Sequence, residues 1–143
     1  MSIQKKDYRG WPNSYYLSNG EIELVVTGDV GPRIIHIGFI GGQNMFYELE
    51  EQLGKSGGDE FRLYGGHRIW VGPERLEVSW ISDNAAPEIT LGENSIRAVA
   101  PVESQTGLRK EIEVEMARWV PRWWFATGSR TPTNGPSSSR LGP

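Results

Sequence analysis

Residues 111–116 are Glu-Ile-Glu-Val-Glu-Met, a strict alternation of charged and apolar residues. Successive side chains of a β-strand point to opposite faces, so this stretch places three glutamates on one face and Ile112, Val114 and Met116 on the other. A helix would scatter the three apolar side chains around its surface. The alternation therefore predicts a β-strand in a sheet with one face in solvent and the other in the core.

A similar alternation, interrupted by glycine, asparagine and proline, predicts further short strands upstream. Residues 22–26 place isoleucine, leucine and valine on one face, and residues 34–40 are largely apolar on both faces, which predicts a strand buried on both sides. Residues 27–32 between them are typical of a turn. Weaker strand candidates are residues 43–49, 68–71, 76–82, 88–91 and 95–100, and a helical turn is expected only within residues 48–53. The predicted fold class is all-β, an antiparallel β-sandwich with short connections.

Composition excludes several kinds of functional site. The 143 residues include no cysteine and only two histidines, His36 and His67. This excludes disulfide frameworks, thiolate zinc sites and cysteine nucleophiles, so we expect neither a metal nor a cofactor. His36, on an apolar strand, is expected to be a buried structural residue. No stretch approaches the ~20 apolar residues of a membrane span, and no apolar signal core follows Lys5 and Lys6, so we expect a cytoplasmic protein with no membrane partner.

The charge distribution divides the chain into unlike parts. Residues 1–116 carry 11 basic and 18 acidic residues, a net charge of −7, whereas residues 117–143 carry four arginines and no acidic residue, a net charge of +4. We therefore predict an N-terminal extension over residues 1–14, a β-sandwich portion over residues 15–116 and an atypical tail over residues 117–143. Because the tail is rich in Ser, Pro and Gly after a Trp-rich run, it is expected to be disordered or out of frame.

Two hypotheses address this tail. A shift of reading frame near Ala117 would account for it, because the codons permitted for residues 123–130, read one base earlier, allow a valine-rich strand. The alternative is an ordinary disordered tail, although disorder alone does not predict a Trp-rich run. The arginines and aromatic rings of residues 118–125 would also suit single-stranded nucleic acid. The acidic remainder of the chain argues against such binding, so no nucleic-acid partner is expected.

The most suggestive local cluster is residues 64–70, Tyr-Gly-Gly-His-Arg-Ile-Trp. Two glycines let the backbone turn and approach a ligand closely, while the histidine, the arginine and the aromatic rings supply hydrogen-bond donors beside flat apolar faces. Sugars suit such a surface, because their C–H faces stack on rings and their hydroxyl groups need fixed polar partners. The alternative is a glycine bend in a sandwich, with His67 satisfied by the backbone and Trp70 in the core. Composition alone favours this alternative.

Several segments, taken in order and spacing, resemble the start of galactose-mutarotase-like (aldose 1-epimerase-like) proteins. The resemblance covers about residues 15–116. The segments that carry it are residues 16–20 (Tyr-Leu-Ser-Asn-Gly), 23–26 (Glu-Leu-Val-Val), 31–35 (Gly-Pro-Arg-Ile-Ile), 43–46 (Gln-Asn-Met-Phe) and 65–70 (Gly-Gly-His-Arg-Ile-Trp).

This resemblance implies that the sandwich is part of a β-supersandwich that binds a small-molecule carbohydrate in a cleft across its larger sheet. It also implies substrate-binding residues, for which the nearest matches are His67 and Arg68, followed by Arg33. Tyr64 and Trp70 complete the predicted substrate-binding set.

In aldose 1-epimerases a carboxylate takes the proton from the anomeric hydroxyl while a histidine protonates the ring oxygen. The resemblance places both groups in segments beyond Met116, where this chain has no His, Asp or Glu. The Gly-Gly pair also precedes the histidine here rather than following it. We therefore expect a truncated, carbohydrate-binding, mutarotase-like protein that is inactive and has no catalytic residues of its own. The alternative is a non-catalytic sugar-binding β-sandwich module.

Overall fold

The computed structural model describes residues 1–117 and the backbone of residues 124–130. Within these residues, nine strands form two sheets in which all neighbouring strands are antiparallel. Apolar side chains of the two sheets meet in one core, so the predicted all-β, antiparallel sandwich is confirmed.

Each sheet follows the order of the chain. The first contains β1 (Ser2–Tyr8), β2 (Trp11–Ser18), β3 (Ile22–Thr27), β4 (Arg33–Phe39) and β5 (His67–Arg68). The second contains β6 (Glu88–Leu91), β7 (Ser95–Val99), β8 (Arg109–Glu115) and β9 (Trp124–Arg130). A 3-10 turn at Glu50–Gln52 and one short helix, α1 (Leu76–Ser79), lie in the connections. None of the helical residues described forms a segment long and apolar enough to cross a bilayer.

The main core lies between the two sheets. On β8, Ile112 and Val114 are buried together with Met116, while Glu113 and Glu115 are exposed, as the alternation predicts. The second sheet contributes these residues and Ile96 and Ala98. The buried residues from the first sheet are Leu17, Leu24, Val26 and Ile34.

A second core covers the outer face of the first sheet. Residues 48–64 leave the sheet and lie over this face, which brings Leu53 and Tyr64 against side chains of β2, β3 and β4. The Trp11 indole Nε1 anchors this segment by donating a hydrogen bond to the Lys55 carbonyl at 2.9 Å. The strand β4 is therefore buried on both faces from Arg33 to His36, as expected, whereas Phe39 and Ile40 at its far end are exposed, contrary to the expectation for residues 34–40. The buried members of this second core are Tyr8, Trp11, Val25, Val30, Ile35 and Tyr64.

Some local predictions need correction. Residues 76–82 do not form a strand, because α1 begins there. Ser79 Oγ accepts a hydrogen bond from the Arg75 N–H and donates one to the Val71 carbonyl, which closes the helical turn while Leu76 stays exposed. Residues 43–49 contribute only an isolated bridge from Glu48 to Gly65.

The ends of the chain also differ from the sequence pattern. Residues 1–14, which the sequence separates from the β-sandwich portion, supply β1 and the start of β2 in the first sheet. Residues 124–130 form β9, which pairs along the whole length of β8. The other tail residues, 118–123 and 131–143, lie outside the described residues, and with them most of the segment 118–125 named in the nucleic-acid hypothesis.

Candidate functional site

The junction between β4 and β5 places several polar side chains together. Arg33 pairs with Arg68 and Ile34 pairs with His67 in the ladder between these strands. Gly65 and Gly66 make this approach possible, because both have positive φ, and a Cβ on Gly66 would lie 2.3 Å from the Ile34 carbonyl oxygen. The two glycines thus bring the backbone against neighbouring backbone rather than against an open surface.

A buried carboxylate joins the two arginines. Asp83 Oδ2 lies 2.6 Å from Arg33 Nη2 and 3.8 Å from Arg68 Nε. Arg33 is 1% exposed, and its Nη1 donates to the Gly65 carbonyl. Arg68 Nη2 donates to the Ile81 carbonyl at 3.3 Å. Burial lowers the pKa of Arg68, an effect that the Asp83 carboxylate partly opposes. Asp83 thus fixes both guanidinium groups at one end of the sandwich.

Three aromatic rings, Phe61, Trp70 and Trp80, surround the outer side of this charged group and are called the aromatic platform below. Their ring centroids are 4.8 to 6.1 Å apart. The Arg68 guanidinium lies 4.9 Å from the Phe61 ring centroid and 5.0 Å from that of Trp70. Trp70 and Trp80 are 38% and 41% exposed. The platform therefore presents apolar ring surface to solvent beside a positioned cation.

The structure separates the predicted site residues into two layers. Trp70 belongs to the surface layer and is not in the core as the glycine-bend alternative proposed, and the Arg68 side chain, 12% exposed, lies directly beneath the rings. Tyr64 and Arg33 are buried beneath it, with the Arg33 guanidinium 5.2 Å from the Tyr64 ring centroid. Tyr64 OH donates to Asn84 Oδ1 at 2.7 Å. Tyr64 and Arg33 therefore lie beneath the site, and the contacts with a ligand at the surface would come from other residues.

His67 is half-buried and lies on the edge strand β5, where it pairs with Ile34, the residue after Arg33 on β4. Burial and, to a smaller degree, the positive charge of Arg33 lower the pKa of His67. Its imidazole is therefore neutral at pH 7 and can act as both donor and acceptor.

Three residues of the site were missed by sequence reasoning. Phe61 lies only three residues before the 64–70 cluster, so a wider aromatic window would have included it. Trp80 falls in the segment wrongly expected to be a strand. No local pattern marks Asp83, which lies 50 residues from its partner Arg33.

The other histidine has a structural environment on the outer face of the first sheet, as expected for His36. Its Nδ1 lies 3.4 Å from Tyr8 OH, and that hydroxyl donates to Glu48 Oε1 at 2.5 Å. Its Nε2 lies 3.9 Å from Glu23 Oε1. Burial lowers the pKa of His36, although the charges of Glu23 and Glu48 oppose this shift. Burial also raises the pKa of Tyr8, reinforced by its hydrogen bond to Glu48.

Acidification should therefore destabilise the fold. A histidine whose pKa is lowered in the folded state stabilises it fully above the unfolded pKa of about 6.5, and this stability is lost as the pH falls below that value. Urea unfolding at about pH 7.5 and about pH 5.5 should give a smaller free energy of unfolding at the lower pH. His36→Gln should show a smaller decrease than the unmodified chain. Equal decreases in the two proteins would show that His36 does not carry this effect.

A metal centre has no obvious place among the residues described, where no group of three or more His, Asp or Glu side chains is positioned to hold an ion.

Comparison of the chain with family models, curated proteins and solved structures finds no match. The resemblance to mutarotase-like proteins therefore rests on the sequence segments alone.

Proposed function

We propose that this protein binds a small carbohydrate at the aromatic platform. The observation that supports this proposal is the position of the Arg68 guanidinium, between the exposed Trp70 indole and the half-buried Phe61 ring. Apolar ring faces suit the C–H faces of a sugar, and adjacent charged donors suit its hydroxyl groups.

The ring geometry favours a compact, non-planar ligand. The Trp70 and Trp80 planes are inclined by 81°, and the Phe61 and Trp80 planes by 55°. Such rings form a corner, not a flat stacking surface, so one ring can contact the face of a ligand while another contacts its edge. A pyranose, with an apolar face and a polar rim, fits this arrangement better than a flat heteroaromatic ring.

The proposal agrees with the mutarotase-like resemblance at Arg68, which that resemblance implies as a substrate-binding residue. Trp70 is predicted from the sequence cluster at residues 64–70. It concerns binding without catalysis, because the resemblance assigns the acid and base to segments beyond Met116, and residues 117–143 contain no His, Asp or Glu. Polarimetry of fresh D-glucose or D-galactose should accordingly show no acceleration of mutarotation by this chain.

Removing one platform ring should weaken sugar binding. Trp80→Ala deletes the ring that contacts both Phe61 and Trp70, so we expect its dissociation constant for a bound monosaccharide to rise about tenfold or more, a loss of about 1.4 kcal/mol. Saturation-transfer NMR against a panel of D-glucose, D-galactose, D-mannose and D-xylose measures this loss.

The matched control is Tyr47→Ala, which removes an aromatic ring that is 75% exposed and belongs to no ring pair of the platform. This variant should bind the same sugars as the unmodified chain. Failure of the unmodified chain to bind any sugar in the panel, or equal losses in the two variants, would refute the proposal.

A further inference from the structure

A polar cavity lies next to the charged group formed by Arg33, Asp83 and Arg68, and it does not involve the aromatic platform. Its volume is about 190 Å³, and its walls come from the turn before β4, the loop that contains Asp83, the loop after β7 and the start of β8. None of the three platform rings lines it. A single water molecule needs roughly 15 Å³ of such space, so the cavity has room for a small organic molecule.

Lys110 supplies a buried cation to this cavity. It occupies the core face of β8, two residues before Ile112, and is 3% exposed. Its Nζ lies 2.6 Å from Glu103 Oε1, and Glu103 Oε2 accepts a hydrogen bond from Thr106 Oγ1 at 2.5 Å. An ammonium group carries three donors, so Lys110 retains donors beyond this ion pair. A charge next to the apolar core residues of β8 is costly to bury, and here the charged Lys110 side chain lines the cavity.

Asp83 supplies an acceptor to the same cavity. Its side chain is 7% exposed, and Oδ2 is bound to Arg33. In the part of the chain that the structure describes, the buried Oδ1 has no hydrogen-bond partner. Buried polar atoms normally have a partner, so this oxygen is the atom that a bound molecule would satisfy.

The charges around the cavity define the kind of ligand. Three carboxylates, Asp59, Asp83 and Glu103, line the cavity together with the ammonium group of Lys110, and Ser82, Ser104 and Gln105 complete the polar lining. Arg33, the ion-pair partner of Asp83, adds a second cation next to this lining. The excess of carboxylates over cations disfavours a phosphate or carboxylate ligand, because like charges repel. Lys110 equally disfavours a metal ion or an ammonium ligand.

We propose that this cavity binds a small, neutral, polyhydroxylated molecule. One ligand hydroxyl donates to Asp83 Oδ1 and another accepts from Lys110 Nζ, since a hydroxyl group can do both. The site is separate from the platform and does not rest on the carbohydrate binding proposed there. Asp83 contributes to both sites. Its Oδ2 lies 2.6 Å from Arg33 and 3.8 Å from Arg68, and its Oδ1 is the proposed acceptor for the ligand in the cavity.

The test compares two ligands of similar skeleton and different charge. Relaxation-edited NMR of the full chain should detect binding of D-sorbitol, and D-gluconate should bind at least about tenfold more weakly. Lys110→Met should weaken sorbitol binding about tenfold or more, whereas Lys5→Met, which removes an exposed lysine of β1, should leave it unchanged.

A second variant keeps the test decisive if Lys110→Met fails to fold. Ala85 is exposed and lines the cavity, so Ala85→Trp obstructs the space without adding bulk to either hydrophobic core. It should abolish sorbitol binding, whereas Trp80→Ala should retain it, and this separates the cavity from the platform. Absence of sorbitol binding, gluconate binding of equal or greater strength, or sorbitol binding unaffected by Ala85→Trp would overturn the proposal.

Discussion

Replacing Asp83 with asparagine should lower the free energy of unfolding by about 3–5 kcal/mol. The substitution preserves side-chain shape but removes the carboxylate 2.6 Å from the guanidinium of Arg33, whose side chain is 2% exposed. Removing one partner of a buried ion pair leaves the other charge in a poorly solvating environment. Arg68, whose Nε is 3.8 Å from the same oxygen, loses its neighbouring carboxylate as well. Urea unfolding at neutral pH, followed by circular dichroism, measures the effect.

The control for this prediction is Glu111→Gln, which neutralises the partner of Arg97 in an ion pair of similar length on the solvent face of the second sheet. Both side chains of that pair are substantially exposed, so its loss should cost less than about 1 kcal/mol. Equal costs for Asp83→Asn and Glu111→Gln would contradict the structural role given to Asp83.

Asn84→Asp should destabilise the protein by about 3 kcal/mol at pH 7. The buried Asn84 amide donates from Nδ2 to the Gly58 and Glu60 carbonyls at 3.0 and 2.7 Å, while Oδ1 accepts from Tyr64 OH. These bonds tie residues 48–64 over the outer face of the first sheet. A carboxylate retains the acceptor but turns a donor into an acceptor that faces two carbonyl oxygens. Chemical unfolding measures the loss.

The pH dependence of this variant provides an independent check. A carboxyl that faces carbonyl oxygens favours its protonated form, so its pKa in the folded state rises above the unfolded value. The destabilisation should consequently shrink as the pH falls through that raised pKa, because a protonated carboxyl regains one donor. In the control Asn19→Asp, the side chain only accepts from the Glu21 and Ile22 N–H groups, so the change should stay within about 0.5 kcal/mol. A similarly small change in Asn84→Asp would contradict the proposed anchoring role.

The features predicted correctly from the sequence are those in which a short pattern determines the structure. The alternation in residues 111–116 correctly placed Ile112 and Met116 in the core, and the strand candidate at residues 88–91 matches β6. The prediction was wrong at residues 76–82, because apolar residues there suggested a sheet while the local hydrogen bonds of Ser79 formed α1.

The candidate site was only partly predictable for a related reason. Arg68 and Trp70 were found because they follow the conspicuous glycine pair. Trp80 and Asp83 reach the same place through packing between distant parts of the chain, which no window of adjacent residues records. The burial of Tyr64 also depends on a long-range feature, the second core formed when residues 48–64 cover the first sheet.

The most direct test of carbohydrate binding at the aromatic platform is the ¹⁵N–¹H spectrum of the tryptophan indoles, assigned with Trp→Phe variants and recorded during titration with the best-binding monosaccharide. Trp70 and Trp80 should shift progressively to saturation. Trp11, buried in the second core with its indole bonded to Lys55, should stay unchanged and serve as the internal reference. Indole signals of Trp70 and Trp80 that do not move, or that move no more than that of Trp11, would contradict the account.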